Sequence, residues 1–282
     1  MPKVWVTGAG GLIGNYLVQT APHSVPGWEV VPITRSRLDL TDNEAVRHLF
    51  NETKPQLIIH CAGLTQTGPC QKNPQLAHTL NVEVTSRLAE CAADTRLFFF
   101  STDLVFDGTK GNYVETDPVN PLLVYAETKA AAERIVLQNP RHTVIRTALN
   151  GGISPKRNRG FNEELKNAWE AGRTTPLFVD EFRCPIPAAV TARAVWELGT
   201  QDAPGLYHLG GSEKLSRWEI GNLLAKRWPN LTSRIEKDSI RDFKGLPRSP
   251  DVSMNCAKIQ KLLSFQLPGL SEWLEKNPQE PF

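Results

Sequence analysis

The run Val4-Trp5-Val6-Thr7 leads straight into Gly8-Ala9-Gly10-Gly11-Leu12-Ile13-Gly14, and this junction constrains the fold more than any other stretch. A short apolar run, a glycine cluster and an apolar-periodic segment through Leu17 and Val18 predict strand, tight turn and helix. Glycine lets the backbone turn sharply and approach a ligand with no Cβ in the way. The helix that follows offers unpaired N–H groups and the positive end of its dipole, a suitable seat for a pyrophosphate. Gly8, Gly11 and Gly14 are spaced G-x-x-G-x-x-G, not the usual G-x-G-x-x-G of dinucleotide sites. The expectation is a dinucleotide-binding unit with Gly8, Gly11, Leu12, Ile13 and Gly14 against the cofactor. The competing reading is a glycine-rich turn in some other α/β protein.

A second strand is expected over residues 28–33, ending in Thr34-Arg35-Ser36-Arg37. About 20 residues past such a glycine turn an acid binds a ribose 2′-hydroxyl, whereas an arginine suits a 2′-phosphate. Thr34 stands in the acid's place and Arg35 follows, so NADP(H) is expected over NAD(H), which the fold also admits. Against this, surface arginines are commonly just solvated. Leu57 to Cys61 is a continuous apolar run, as a buried parallel strand should be. Ala62, Gly63 and Leu64 follow, small enough at the start to let a nicotinamide ribose lie on the backbone. His60 reads as a packed strand residue rather than a catalytic one.

The rest of the first half alternates in the same way. Residues 65–74 read as a polar loop and 75–93 as one helix containing Asn81, which on its own reads as bonding the neighbouring backbone. Residues 97–100 and 143–147 are the fourth and fifth strands. Ligands bind beyond the carboxyl ends of strands in open parallel sheets, which places Ser101, Thr102 and Asp103 well. Tyr125 and Lys129 are four residues apart on an expected helix and so share one face. An ammonium near a phenol lowers its pKa and eases proton transfer. The reading is a reductive site: Tyr125 gives a proton, Lys129 holds the nicotinamide ribose and Thr102 polarises a carbonyl.

Composition narrows the partners. The 282 residues suit one large domain or a domain with a lobe, and the net charge of +2 argues against a nucleic-acid scaffold. The five cysteines form no C-x-x-C pair, so no metal site or disulfide framework is expected. Met1-Pro2-Lys3 leaves no room for a signal peptide and no apolar run approaches a membrane span, which gives a cytoplasmic expectation. After Asn150 the alternation breaks. Residues 1–150 are expected to form a Rossmann-type doubly wound parallel sheet, with 187–200 returning to it as a helix. Residues 151–186 and 201–282, with a further strand at 206–209, are expected to build mainly a small C-terminal substrate-binding lobe. The basic loop Lys156, Arg157, Arg159 either holds a diphosphate or is solvated.

The motifs together resemble the extended short-chain dehydrogenases/reductases, and most closely the dTDP-4-dehydrorhamnose reductase family. The resemblance rests on residues 7–14, Asp39-Leu40, the run Ser101 to Gly108, Asn120 to Lys129, Val144 to Thr147, Asp180 with Pro185, and Gly205 to Leu209. It implies Thr102, Tyr125 and Lys129 as catalytic residues. It also implies Asp39 and Leu40 against the adenine, although Asp39 alone would be a turn residue, and Asp103 against the sugar. Leu104 stands where a tyrosine is common and Leu149 where an aromatic is, both facing the sugar in that family. Arg183 stands where a glycine is usual and Ile186 where a threonine is. Leu149 and Arg183 therefore join the expected substrate contacts. The implied activity is reduction of a keto group on a nucleotide-activated deoxysugar. Two alternatives stay open: an epimerase on the same scaffold, and a non-catalytic NADP-binding subunit like the regulatory subunit of methionine adenosyltransferase. Members of the family often pair as homodimers.

Overall fold

The computed structural model describes residues 1–231, 234–280 and 282. Six parallel strands form the central sheet: β1 (Lys3–Thr7), β2 (Glu29–Ile33), β3 (Leu57–His60), β4 (Arg96–Thr102), β5 (Thr143–Thr147) and β6 (Gly205–Leu209), in the order β6-β5-β4-β3-β1-β2. The order reverses at β1, so the crevice between the ends of β1 and β3 is the switch point where such sheets bind ligands. This is the expected doubly wound α/β fold. β3 and β5 are buried at every residue, the signature of strands covered on both faces.

Helices cover both faces. On one side α1 (Leu12–Ser24) packs on a long helix, Ala188–Gly199, over a core of Val4, Val6, Phe98, Ile145 and Trp196. The Trp196 indole N–H donates to the Leu17 carbonyl and fixes the two helices together. On the other side α2 (Asn43–Thr53), α3 (Val84–Cys91) and α4 (Val124–Val136) cover Trp5, Ile58, Leu97 and Phe99. Asp42 caps α2 by accepting from the Ala45 N–H, a contact of about 1 kcal/mol.

Two segments differ from expectation. Residues 65–74 are not simply a loop, because Thr67–Lys72 forms a short helix that buries Cys70 against Tyr125. The helix expected over 75–93 is interrupted by a π turn at Thr79–Glu83, which turns Asn81 inward. Such turns concentrate at functional sites. Beyond Asn150 a separate apolar cluster gathers Phe161, Leu165, Trp169, Leu177, Ile220, Leu224, Trp273 and Phe282. It is built from the helices Phe161–Glu170, Arg217–Arg227 and Leu270–Lys276 and the parallel pair Thr175–Phe178 with Ile235–Asp238. No helix among the described residues is long and apolar enough to cross a membrane.

Candidate active site

The glycine turn closes as its spacing requires. Gly8 sits at φ 67, and its carbonyl accepts from the Gly11 N–H at 2.8 Å. A Cβ on Gly8 would lie 2.7 Å from the Ala62 nitrogen, and one on Gly14 would lie 2.3 Å from the Gly8 oxygen. Gly8 thus lets β1 meet the segment after β3, and Gly14 lets α1 fold onto the turn. No side chain caps α1 at Gly11, which leaves the first-turn N–H groups of Leu12, Ile13 and Gly14 for a ligand. These residues fit a bound dinucleotide phosphate.

Past β2, Arg35 is exposed, as a residue meeting a 2′-phosphate must be. Asp39 makes a local turn: its carboxylate accepts from both the N–H and the hydroxyl of Thr41, which hold it below the ordinary carboxylate range. Its neighbour Leu40 packs on the core under β2. Ala62, Gly63 and Leu64 leave β3 opposite the glycine turn. Asn81 grips this segment, accepting from the Leu64 N–H at 2.7 Å and donating to the Leu64 carbonyl at 3.0 Å. A Cβ on Gly63 would meet the Asn81 side-chain oxygen at 2.7 Å.

Thr102, Asp103, Tyr125 and Lys129 are all buried at the carboxyl end of β4 and the start of α4. Thr102 donates to Asp103 Oδ1 at 3.1 Å and accepts from the Leu104 N–H. Burial pushes the Tyr125 phenol well above its ordinary range, with the Thr102 hydroxyl opposing the shift. Burial draws the Lys129 ammonium down to about 7, against the pull of the Glu133 carboxylate one turn on. Lys129 Nζ lies 3.9 Å from the centre of the Phe99 ring. The expectation that Lys129 lowers the Tyr125 pKa is therefore corrected. Removal from water dominates at both groups, and Lys129 is not among the charges that shift Tyr125.

Asp103 is also raised by burial, with the Arg183 guanidinium opposing. Its Oδ2 has no hydrogen-bond partner among the described residues and lies 3.8 Å from Arg183 Nε. The remaining donors of Arg183 go to Glu181 and to the carbonyls of Phe182 and Ser249. Arg183 thus reaches the site through Asp103. Leu104 packs in a small cluster with Tyr125, Cys70 and Ala77, while Leu149 packs on the apolar cluster beyond Asn150. The tail of the motif is framework. Phe106 stacks on Tyr113 at 4.0 Å, and Asp107 accepts from Thr109, Tyr113 and Asn120.

A cleft of about 150 Å³ lies between Phe161, Glu164, Leu177, Phe178, Arg217 and Arg248. Glu181 joins it to the site just described, since its carboxylate pairs with Arg183 at 3.1 Å and Arg248 at 2.9 Å. Burial lowers the Arg217 pKa while Glu181 raises it. The guanidiniums of Arg183, Arg217 and Arg248 thus stand among the carboxylates of Glu181, Glu164 and Asp103, a set of charged donors that an anionic ligand can engage. Sequence reading overlooked Arg217 and Arg248, because no local pattern sets them apart from solvated arginines. It pointed instead to Lys156, Arg157 and Arg159, which are exposed and do not line this cleft. Glu163 ties that loop down by accepting from Ser154, Arg159 and Gly160.

Residues 2–279 match the family model described as the RmlD substrate binding domain. The chain belongs to this family. Among its relatives, the probable low-salt glycan biosynthesis reductase Agl14 of Haloferax volcanii is 30% identical, over 85% of this chain and 84% of its own length. Methionine adenosyltransferase 2 subunit beta of Xenopus laevis is 28% identical, over 92% of this chain and 82% of its own. The dTDP-4-dehydrorhamnose reductase of Bacillus anthracis, solved in complex with NADP, superimposes with a TM-score of 0.89 at 22% identity and 98% coverage of both chains. Family and fold thus agree with the extended short-chain dehydrogenase/reductase resemblance.

Proposed function

We propose that this protein is an NADPH-dependent reductase of a keto group on a nucleotide-activated deoxysugar, with dTDP-4-dehydrorhamnose as the leading substrate. The observation that carries the reading is the burial of Thr102, Tyr125 and Lys129 together beyond β4, beside the glycine turn. The naming of Agl14 as a reductase and the NADP complex of the B. anthracis enzyme support it.

Bound NADPH supplies the hydride. Tyr125 then gives its proton to the developing alkoxide, against the rise in its pKa that burial brings. Thr102 turns its one proton from Asp103 to the same oxygen and stabilises its charge. Lys129 holds the nicotinamide ribose, and Asp103 Oδ2 accepts from a sugar hydroxyl. Arg217 and Arg248 hold the diphosphate, while Leu104 and Leu149 give the sugar an apolar wall in place of aromatic rings. The cofactor is assigned to residues 1–150 with 187–200, and the nucleotide sugar mainly to 151–186 and 201–282. Within that last range, β6 edges the sheet and residues 232, 233 and 281 lie outside the described residues.

The test is loss of NADPH absorbance with dTDP-4-dehydrorhamnose, beside NADH. Rapid consumption that prefers NADPH is expected. An epimerase would turn over sugar with no net consumption of NADPH. A second reading follows from the similarity to methionine adenosyltransferase 2 subunit beta: a subunit that binds NADP and a protein partner. Tight NADPH binding without turnover on any keto-sugar, together with raised activity of an added methionine adenosyltransferase, would favour that reading over the reductase.

A further inference from the structure

Thr7 and His60 are register partners at the ends of the adjacent strands β1 and β3. Each directly precedes or adjoins a loop assigned to the cofactor: Gly8 follows Thr7, and Ala62 lies two residues past His60. Both side chains are fully buried, as is Thr85 on α3, and Asn81 is nearly so. The contacts among them are close. Thr7 Oγ1 is 2.7 Å from His60 Nδ1, and His60 Nε2 is 3.2 Å from Thr85 Oγ1. Thr85 donates to the Asn81 carbonyl at 2.7 Å, and Asn81 Nδ2 donates to Thr128 Oγ1 at 3.0 Å. Thr128 in turn donates to the Tyr125 carbonyl at 2.7 Å.

The direction of every bond in this chain is forced. A hydroxyl carries one proton, and a carbonyl only accepts. The Thr85 proton goes to the Asn81 carbonyl, so Thr85 must accept from His60, and His60 must carry its proton on Nε2. Burial, with the Lys129 charge adding to it, lowers His60 to about 3, so the ring is neutral. Nδ1 is then a bare acceptor, and Thr7 donates to it. The remaining acceptor capacity of Thr7 takes the Ala62 N–H at 3.3 Å. Asn81 uses both amide protons and its oxygen, gripping Leu64 and Thr128 together.

We infer that His60 is a positioning residue, a neutral Nε2-protonated link that ties the glycine turn after β1 and the loop after β3 to the helix carrying Tyr125 and Lys129. The chain joins the two walls of the crevice between β1 and β3 to the helix carrying Tyr125 through buried side chains. Fixed tautomer and full satisfaction give it one arrangement, which is what a site needing placement to a fraction of an ångström requires. Only the turnover part of its test rests on the reductase reading.

The direct test is a long-range proton–nitrogen NMR correlation of the imidazole in the full chain. One ring is expected with Nε2 protonated, Nδ1 bare and no titration from about pH 5 to 8. A ring protonated on Nδ1, or one that titrates in that range, overturns the inference. Neither result depends on turnover, so each is separable from failure of the reductase reading. In activity, Thr85→Val is expected to lose about tenfold in kcat at saturating NADPH and sugar, the scale of a small misplacement, with Thr85→Ser restoring it. His60→Leu should show the same loss and weaken NADPH binding several-fold, because it cuts both ends. A lowered Tm with kcat unchanged in folded Thr85→Val would mean a purely structural role and would also overturn the proposal.

Discussion

The two ends of the candidate site are assembled in opposite ways. At the cofactor end the working parts are short runs of sequence. Gly8 to Gly14 makes its own turn, and Tyr125 and Lys129 share a helix face because they are one turn apart. At the proposed sugar end the parts are scattered. Phe161, Arg217 and Arg248 come from separate segments, and Glu181, three residues past Phe178, pairs with both Arg183 and Arg248. A site made of local units keeps its geometry when distant residues change. A site made of distant residues is free to change its ligand, and the departures at Leu149 and Arg183 fall on that side, while Leu104 packs beside Tyr125.

Tyr125→Phe should be the most damaging change. It removes only the hydroxyl proposed as proton donor, so reduction is expected to fall about 10³-fold while NADPH titrated by fluorescence binds as before. Unchanged turnover would break the cofactor end of the comparison outright. Gly14→Ala comes next. The new Cβ must displace the Gly8 carbonyl, so NADPH affinity should drop at least about tenfold and Tm should fall, overpacking costing about 1–3 kcal/mol. Arg248→Gln probes the other end. A KM for the nucleotide sugar raised by about tenfold, with NADPH affinity intact, is expected from loss of a charge-assisted contact. A matching loss in NADPH affinity would show that the two ends are not separable.

Two smaller effects sharpen the contrast. Lys129 has its pKa drawn from an unfolded value near 10.5 to about 7. The unfolded chain then binds more protons between those values, so stability rises with pH across that window and its cost is full below it. Lys129→Met should flatten the rise in Tm measured from about pH 7 to 10. Arg35→Ala should weaken NADPH by only a few-fold, since an exposed ion pair contributes about 0.2–1 kcal/mol, and should leave NADH unaffected. Equal losses for the two cofactors would remove Arg35 from the 2′-phosphate.

The sequence spoke clearly where periodicity and turn chemistry act over a few residues. Strand Leu57–His60 was legible as an apolar run because both of its faces are covered. It spoke less clearly at 65–93. Apolar spacing there fits one long helix, yet Asn81 makes three contacts across the fold, and they come with a π turn. Residues 67–72 read as loop from Gly68 and Pro69, but proline is tolerated in a first helical turn, and burial of Cys70 secures the helix. His60 read correctly as a packed strand residue. Its partners Thr7 and Thr85 lie 53 and 25 residues away, so its network had no signature along the chain.

By itself the sequence determined the strand–turn–helix that begins the fold, the shared face of Tyr125 and Lys129, and the alternation that makes the sheet parallel. All three follow from backbone geometry over one or two turns of chain. Only the tertiary structure decided that Thr102 reaches Tyr125 and that arginines at 217 and 248, not those at 157 and 159, line the cleft. It also decided that Lys129 sits near neutrality rather than acting on the phenol. Those outcomes depend on which groups lose their water and what charge remains beside them, and that is set by packing between segments far apart in the chain.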